Sequence, residues 1–437
     1  MSSTAESPSL ATKDESMSDI EDGGSIKNND DKIMESKQPP KVDWSLLAQF
    51  LILGFVALAP WNFVLADLPY LDSKFHNHFS STVPIIYSVA VNVAQLLLIW
   101  VGNKFSFAPR FDWGCGILAV FNILLAVVAM TIGDGNPCTN EGLGFGLALV
   151  CVFLLGFGHA LMESSSFGLA ALCPTSCMIA DMTGEGVAGL VGWPINMLLQ
   201  VIFDAGNVRR QQEWQCLVFF CVTSVITVFV IPMYRCITSK HPYMREVLKI
   251  EEKRKTASLK TRQTRRPVIY IVKDILPMAL CAWGTMGVTF VVFPAQVSYW
   301  KSEDPTNTGF VAQVIYTFQV VDTIGRFAPS LKFDMPEWCL MIWVTARLIY
   351  IPLFICVSLY PMLVPFYYDW FKHLIMGCFA LTNGSGCTLS MMKGPTHAKG
   401  SSEEEVSGYV MAFGLISGIL TGSIFGLIAN ICLGQST

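Results

Sequence analysis

The chain has 437 residues, of which 52% are apolar and only 14% are charged, and its formal net charge is −4. Because about a quarter of the residues of a soluble domain are charged, this composition excludes an ordinary soluble protein. Charge is concentrated in residues 1–43 and 235–273, and elsewhere apolar stretches of about 20 residues recur, long enough for a helix to cross a bilayer core of about 30 Å. We therefore predict an all-α polytopic membrane protein, with nothing in its charge to indicate a nucleic-acid partner.

The first segment, residues 1–43, is rich in Ser, Asp, Glu and Lys and shows no apolar periodicity. A segment of this composition buries too little apolar surface to fold, so we expect a disordered acidic tail. We place this tail in the cytoplasm, because the loop charges considered below fix the orientation of the spans that follow it.

Eleven apolar stretches follow the tail and are predicted as transmembrane helices. Several contain proline or glycine, which transmembrane helices tolerate because neighbouring groups satisfy the freed backbone atoms. The predicted spans are residues 45–66, 82–102, 112–132, 143–173, 186–205, 214–235, 268–295, 308–330, 336–358, 367–392 and 406–431.

The distribution of Lys and Arg predicts the orientation of these spans. Residues 235–273 contain twelve Lys and Arg against three acidic residues, and cytoplasmic loops carry such an excess. We therefore predict a basic cytoplasmic loop at 236–267, a cytoplasmic N-terminus and an extracellular C-terminus. This loop separates an N-terminal six-helix bundle, 44–235, from a C-terminal five-helix bundle, 268–437. The resulting 6+5 arrangement is like that of major-facilitator transporters, which bind their substrate near the midplane between two halves.

Two opposite charges lie inside the eighth predicted span. Asp322 and Arg326 are four residues apart, so on a helix their side chains leave from the same face. A charge in a span costs about 2.5–3.5 kcal/mol on insertion scales, so it usually lines a cavity or has a partner. One interpretation is an ion pair that only joins this helix to a neighbour, and the other is a pair that faces the central cavity and binds polar groups of a substrate.

Glu163 is the second acidic residue in an apolar stretch, and it has no Lys or Arg within one helical turn. Burial away from cations favours the protonated form of a carboxyl group, so this residue is a candidate proton carrier. His159 lies four residues earlier on the same face and can share the proton. The structural alternatives are a protonated acid bonded to Ser or to the backbone, and a histidine that is an ordinary core residue.

Several quoted segments resemble motifs of the equilibrative nucleoside transporters. DTIGR at 322–326 and the segment 379–395 are the most specific, and the resemblance covers roughly residues 44–432. It implies eleven spans, a cytoplasmic N-terminus and a large loop after the sixth span. The matching segments are PWNF at 60–63, FGLAALCP and GEGVAG within 167–189, DTIGR at 322–326, ARLIYIPLF at 346–354 and FALTNGSGCTLSMMKGP at 379–395.

The resemblance also implies roles for individual residues. Asp322 and Arg326 would bind the ribose or an equivalent polar edge, and Trp61, Leu58 and Leu65 would surround the base. From the sequence alone, Trp61 is equally compatible with an interfacial belt or with core packing.

Two residues depart from the family pattern. Glu163 stands where many members carry a Gln that contacts the base, and a carboxylate there can both accept from base N–H groups and titrate. Ser385 stands where the family often has Tyr, which leaves the role of Asn383–Ser385 open.

We therefore predict a carrier of nucleosides or nucleobases, with purines favoured, that works by alternating access and uses no cofactor or metal. Proton symport is an open possibility, with Glu163, His159 and Asp322 as candidate coupling residues. The runner-up is a major-facilitator carrier of sugars or other small polar solutes, and an enzyme is disfavoured because no nucleophile–base or metal constellation is found. We expect a monomer in the lipid bilayer of the plasma membrane, whose ligands are a small molecule and, in the case of symport, protons.

Overall fold

A computed structural model describes residues 42–75, 79–102, 105–132, 141–206, 210–261, 266–307, 309–399 and 403–434. No strand occurs within these ranges, which confirms the predicted all-α class. The predicted acidic tail, apart from its last two residues, lies outside the described residues.

Seven helices form the N-terminal part of the molecule, which we call the N half. Six of these helices are long, and the remaining one, α2, has only eight residues. Their bounds are α1 Trp44–Ala66, α2 Leu68–Phe75, α3 Phe79–Val101, α4 Phe107–Thr131, α5 Glu141–Ala171, α6 Thr175–Gly206 and α7 Gln211–Cys236.

A helix of 20 residues, α8 (Pro242–Thr261), follows the N half. The sequence analysis treated this region as a loop. The remaining helices form the C half, and their bounds are α9 Val268–Val292, α10 Phe310–Phe327, α11 Glu337–Ala346, α12 Tyr350–Leu359, α13 Asp369–Lys393 and α14 Glu404–Cys432.

Ten helical segments among the described residues are long and apolar enough to cross a membrane. The eighth predicted span corresponds to α10, which is not among the ten. It has only 18 residues, and its hydropathy is lowered by polar residues such as Asp322 and Arg326. The multi-pass membrane architecture is confirmed, while the count of eleven is not confirmed by length and apolarity alone.

The ninth predicted span is broken into two helices, α11 and α12, by a single turn of 3₁₀ helix at Arg347–Ile349. Pro352 lies just after this turn, in the first residues of α12. A proline inside a helix has no N–H to donate, and its ring clashes with the carbonyl group of the residue four positions earlier, here Leu348. The proline therefore gives a physical reason for the break.

Ion pairs bring several helix termini together at one end of the molecule, which we call the basic end because α8 lies there. Arg235 at the end of α7 pairs with Asp112 at the start of α4. His241 lies 3.1 Å from Asp43, the N-cap of α1, and Arg266 lies 3.2 Å from Glu403, which precedes α14. Tyr243 and Met244 in the first turn of α8 are also buried here.

Glycines allow α1 and α6 to pack with their backbones in contact. A Cβ atom added at Gly54 would lie 1.9 Å from the carbonyl oxygen of Asp181, and one added at Gly184 would lie 2.0 Å from that of Leu51. Small residues at helix contacts are the usual means of close association in membranes. This contact holds the part of α6 that carries Asp181 and Glu185 against α1.

We predict that Gly184→Ala destabilises the protein by roughly 1–3 kcal/mol or more, because the added methyl group forces α1 and α6 apart. The measurement is the thermal unfolding of purified protein in detergent. Gly116→Ala on α4 is the matched control, since a Cβ atom there meets nothing within 4 Å. If both variants unfold at the wild-type temperature, the close contact of α1 with α6 is wrong.

Candidate functional site

The two charges of the eighth predicted span form an ion pair on α10. Arg326 Nε donates to Asp322 Oδ2 at 2.8 Å, and the two residues are only 6% and 3% exposed. The pairing agrees with the helical spacing of four residues. The pair is therefore buried within the protein, where each charge stabilises the other.

Arg326 has a second acidic partner that belongs to the N half. Its Nη1 atom donates to Glu185 Oε2 at 2.9 Å and approaches the carbonyl oxygen of Met182 at 3.3 Å, both on α6. The sequence analysis did not select Glu185, because it lies in the glycine-rich segment GEGVAG. Glu185 lies one residue before the fifth predicted span, 186–205, so it was not recognised as a charge within the membrane. A single guanidinium thus bridges the two halves.

Asp322 is also held by the helix α13. Asn383 Nδ2 donates to Asp322 Oδ1 at 2.8 Å, so each carboxylate oxygen has one donor within the protein. The backbones of α10 and α13 touch here, since a Cβ atom at Gly384 would lie 2.1 Å from the carbonyl oxygen of Asp322. We refer to Glu185, Asp322, Arg326 and Asn383 as the Arg326 cluster.

Arg347, at the break between α11 and α12, borders this cluster and was not selected from the sequence. It is 2% exposed, and its Nη2 atom lies 2.7 Å from Thr289 Oγ1 and 3.3 Å from Asn383 Oδ1. Its Nη1 atom donates to the carbonyl oxygen of Phe379 at 3.0 Å and to Thr382. All of these acceptors are uncharged. Arg347 lies within the ninth predicted span, 336–358, so a charge in an apolar stretch was the available signal for it.

Glu163 lies at the centre of a second buried group of polar side chains. Its Oε2 atom accepts a hydrogen bond from Gln95 on α3 and lies 3.3 Å from His159 Nε2. The other ring nitrogen of His159 is bonded to the hydroxyl group of Tyr87. We refer to these four residues as the Glu163 cluster. Glu163 therefore has partners, although none of them is Lys or Arg.

Trp61 extends the Glu163 cluster toward α1. Its ring stacks on Tyr87 with centroids 3.7 Å apart and planes inclined by 8°. Leu58 and Leu65, three and four residues away, share this face of α1 by helical spacing. Leu58 and Trp61 are partly buried, and Leu65 is 38% exposed. The structure thus links Trp61 to Glu163 through Tyr87 and His159.

The buried centre of the molecule contains more acidic than basic groups. Asp181, also missed in the sequence analysis, is fully buried and accepts from Ser166 Oγ at 2.6 Å. Asp181 and Glu185 lie four residues apart on one face of α6, and Glu163 lies on the adjacent helix α5. Together with Asp322 there are four carboxyl groups near two guanidinium groups. Carboxyl groups therefore outnumber guanidinium groups in this buried region of the chain that the structure describes.

A third buried group joins the two halves at the basic end. Arg110 at the start of α4 is 4% exposed, and its Nη2 atom lies 2.7 Å from Glu405 Oε1 on α14. Arg110 also donates to the hydroxyl group of Tyr409. Nearby, a Cβ atom at Gly408 would lie 2.7 Å from the carbonyl oxygen of Phe167, so α14 also touches α5. We call Arg110, Glu405 and Tyr409 the latch, and it closes the contact between the halves at this end.

The fold is that of a major-facilitator transporter. A solved structure of the proton:xylose symporter XylE matches with a TM-score of 0.61 over 90% of this chain and 89% of that chain, at 12% identity. Two helical halves therefore enclose buried charged groups between them, in a fold of the major-facilitator type.

The family is shown by comparison of the sequence. The family model described as nucleoside transporter matches residues 149–431. Equilibrative nucleoside transporter 1 of Homo sapiens is 23% identical over 87% of this chain and 95% of its own length. Equilibrative nucleoside transporter 2 of Rattus norvegicus is 25% identical over 86% of this chain and 94% of its own length. The chain belongs to the nucleoside transporter family, so it is a carrier and not an enzyme.

We predict that Arg110→Glu and Glu405→Arg each abolish most of the uptake, because each places two like charges in a buried contact. Breaking a buried ion pair costs about 3–5 kcal/mol. The measurement is uptake in cells, normalised to the amount of protein at the membrane, and the exchange of both residues should restore part of it.

The matched control for the latch is the same exchange at Arg235 and Asp112, whose side chains are 55% and 26% exposed. Exposed ion pairs contribute about 0–1 kcal/mol, so single reversals there should change uptake little. If both single latch variants took up substrate at the wild-type rate, the latch would not be what closes the contact between the halves at the basic end.

Proposed function

We propose that the protein binds the ribose of a nucleoside at Asp322 and Arg326 and transports it by alternating access. The observation that carries this proposal is the buried Asp322–Arg326 pair. A carboxylate has about four acceptor positions, and the protein donates one hydrogen bond to each oxygen of Asp322. Acceptor positions are therefore left for ribose hydroxyl groups, which are hydrogen-bond donors.

The base would lie toward α1 and α5. Trp61, Leu58 and Leu65 offer apolar and aromatic surface, and Glu163 offers a carboxylate that accepts from base N–H groups. Purines have more aromatic surface than pyrimidines, so this arrangement favours purine nucleosides, and nucleobases that lack ribose are substrates only if the base contacts suffice.

The contacts between the halves support alternating access. Arg326 bridges to Glu185, and the latch closes the basic end. A substrate that competes with Glu185 for Arg326 would weaken one of these bridges and so lower the free energy needed to separate the halves. A ligand shifts such an equilibrium only through a difference in affinity between the two states. The Arg326–Glu185 bridge, present in one state and broken in the other, would supply this difference in affinity.

The surplus of buried carboxyl groups supports proton coupling. Glu163 Oε2 accepts a hydrogen bond from Gln95 and lies 3.3 Å from His159 Nε2, so Glu163 and His159 are close enough to exchange a proton, and Asp322 is a further candidate. We also propose that the basic end faces the cytoplasm, because α8 and its flanks are rich in Lys and Arg. The N-terminus would then be cytoplasmic and the C-terminus extracellular, in a monomer of the plasma membrane.

The experiment that tests the substrate is radiolabelled uptake in transporter-deficient cells, with competition by adenosine, uridine and hypoxanthine. We expect saturable uptake of adenosine that the other purines and nucleosides inhibit to different degrees. The second candidate, a carrier of sugars, is favoured only by the likeness in fold to a proton:xylose symporter. Saturable glucose uptake without competition by any purine or nucleoside would establish that second candidate instead.

We predict that Asp322→Asn and Arg326→Ala each lower uptake at least a hundredfold while the protein still reaches the membrane. A hydrogen bond to a charged group contributes about 1.5–3 kcal/mol, and each variant loses more than one such contact. The measurement is initial uptake normalised to surface-labelled protein. Normal uptake by the variant that lacks both charges would show that the pair is dispensable.

We predict that wild-type uptake rises as the external pH falls, and that Glu163→Gln transports without this rise. The amide keeps the shape and the hydrogen-bonding reach of the carboxyl group but cannot take up a proton. The measurement is initial uptake of adenosine between pH 5.5 and 8, with roughly a severalfold increase expected for the wild type from full titration of one group.

Glu246→Gln on α8 is the control for this experiment, because it removes an acid at the basic end. A Glu163→Gln protein with the wild-type pH profile and the same ranking of substrates would make Glu163 a structural group and the protein a simple facilitator.

A further inference from the structure

Arg347 is a buried cation without a carboxylate partner within ion-pair distance among the described residues. Its side chain contacts α9 and α13, where Thr289, Thr382, Asn383 and the carbonyl oxygen of Phe379 accept from it. Its guanidinium also lies 4.8 Å from the centre of the Phe379 ring. Burying a cation destabilises a protein unless hydrogen bonds offset the loss of hydration. An apolar residue of similar size would therefore stabilise the fold at least as well if the role were purely structural.

The bonds of Arg347 fix the orientation of a single amide. Arginine has only donors, so the atom of Asn383 that faces it must be the oxygen, Oδ1. Thr289 Oγ1, which lies 2.6 Å from the same oxygen, accepts from Arg347 and can then direct its own hydrogen to Oδ1. With Oδ1 held on this side, the NH₂ group of Asn383 must point to Asp322, where it donates to Oδ1 of that carboxylate at 2.8 Å.

The alternative orientation of the amide would place its oxygen against the Asp322 carboxylate. Two acceptors at 2.8 Å repel, so Asp322 would turn away from Asn383 or from Arg326. The orientation of Asn383 therefore decides which acceptor positions of Asp322 remain for a ligand.

We propose that Arg347 is a positioning residue that acts through Asn383 on Asp322 and thereby sets the recognition of ribose hydroxyl groups. The inference rests on the proposed function, in which Asp322 accepts from these hydroxyl groups. It adds that the selectivity for ribose over deoxyribose depends on a residue that does not itself contact the sugar. The break between α11 and α12 is what brings Arg347 to this position, since it is the first residue of the intervening turn.

The experiment compares Arg347→Lys with the wild type and with Arg235→Lys, the same chemical change at an exposed position. For each protein, the KM of uptake is measured for adenosine, 2′-deoxyadenosine and 3′-deoxyadenosine, with the amount of protein at the membrane as a separate measurement. We expect the wild type and Arg235→Lys to discriminate against at least one deoxynucleoside by about tenfold, and Arg347→Lys to lose most of this ratio.

A second variant keeps the test decisive if Arg347→Lys does not reach the membrane. Asn383→Ala removes the amide while Arg347 keeps its bonds to Thr289, Thr382 and Phe379. It should lose the same discrimination between adenosine and the deoxynucleosides. The variant with both substitutions should lose no more than either single variant, because the effects of substitutions at residues that act through one another do not add.

The outcomes separate this inference from the function on which it rests. Suppose that the wild type discriminates between adenosine and a deoxynucleoside, and that the variants show less protein or lower maximal rates but the same ratio of KM values. Arg347 and Asn383 would then be only structural, and the inference would be wrong. If the wild type takes up adenosine and both deoxynucleosides with equal KM, the assignment of Asp322 to the ribose is wrong, and the inference falls with it.

Discussion

Arg326 is the charge on which the arrangement of the two halves depends. A guanidinium remains protonated under all ordinary conditions, so wherever it lies in the bilayer it must keep acidic or polar partners. One of its partners, Asp322, lies on its own helix, and the other, Glu185, belongs to the opposite half. Any movement that separates the halves at this point must supply a replacement for Glu185. In the proposed mechanism a polar substrate and water do so, which would couple binding to movement at this bridge.

The buried polar residues act as connected groups because few donors and acceptors inside a membrane protein can be left without partners. Asp322 is held between Arg326 and Asn383, and Asn383 is oriented in turn by Arg347 and Thr289. The helices that carry these residues approach closely only because glycines lie at the contacts of α1 with α6 and of α10 with α13. The small residues therefore determine the geometry in which the charged residues can meet.

Much of the fold could be predicted from the sequence, because apolar stretches of the right length leave little choice in a bilayer. Charges within those stretches also identified Asp322, Arg326 and Glu163, and a helical spacing of four predicted that the first two would pair. The helix α8 was missed because its polar composition is that of an exposed loop. The division of the ninth span was missed because the stretch is continuously apolar, although Pro352 was a signal for it.

Glu185, Asp181 and Arg347 could not be identified as partners from the sequence. Their contacts join residues far apart in the chain, such as Arg326 with Glu185 and Arg347 with Asn383. Local spacing carries no information on such pairs, and the charge surplus of the centre becomes visible only when the helices are assembled. The resemblance to a family identified the class of substrate, but it did not indicate how the buried charges balance.

The central claim is that one buried site is exposed in turn on the two sides of the membrane. The most direct measurement uses purified protein in liposomes, preloaded with unlabelled adenosine and diluted into labelled adenosine. Alternating access predicts a transient accumulation of the label inside the liposomes above its external concentration, because the inward movement of the label is coupled to exchange through the same site. Simple equilibration of the label, at the same rate with and without preloaded adenosine, would indicate a channel and contradict this account.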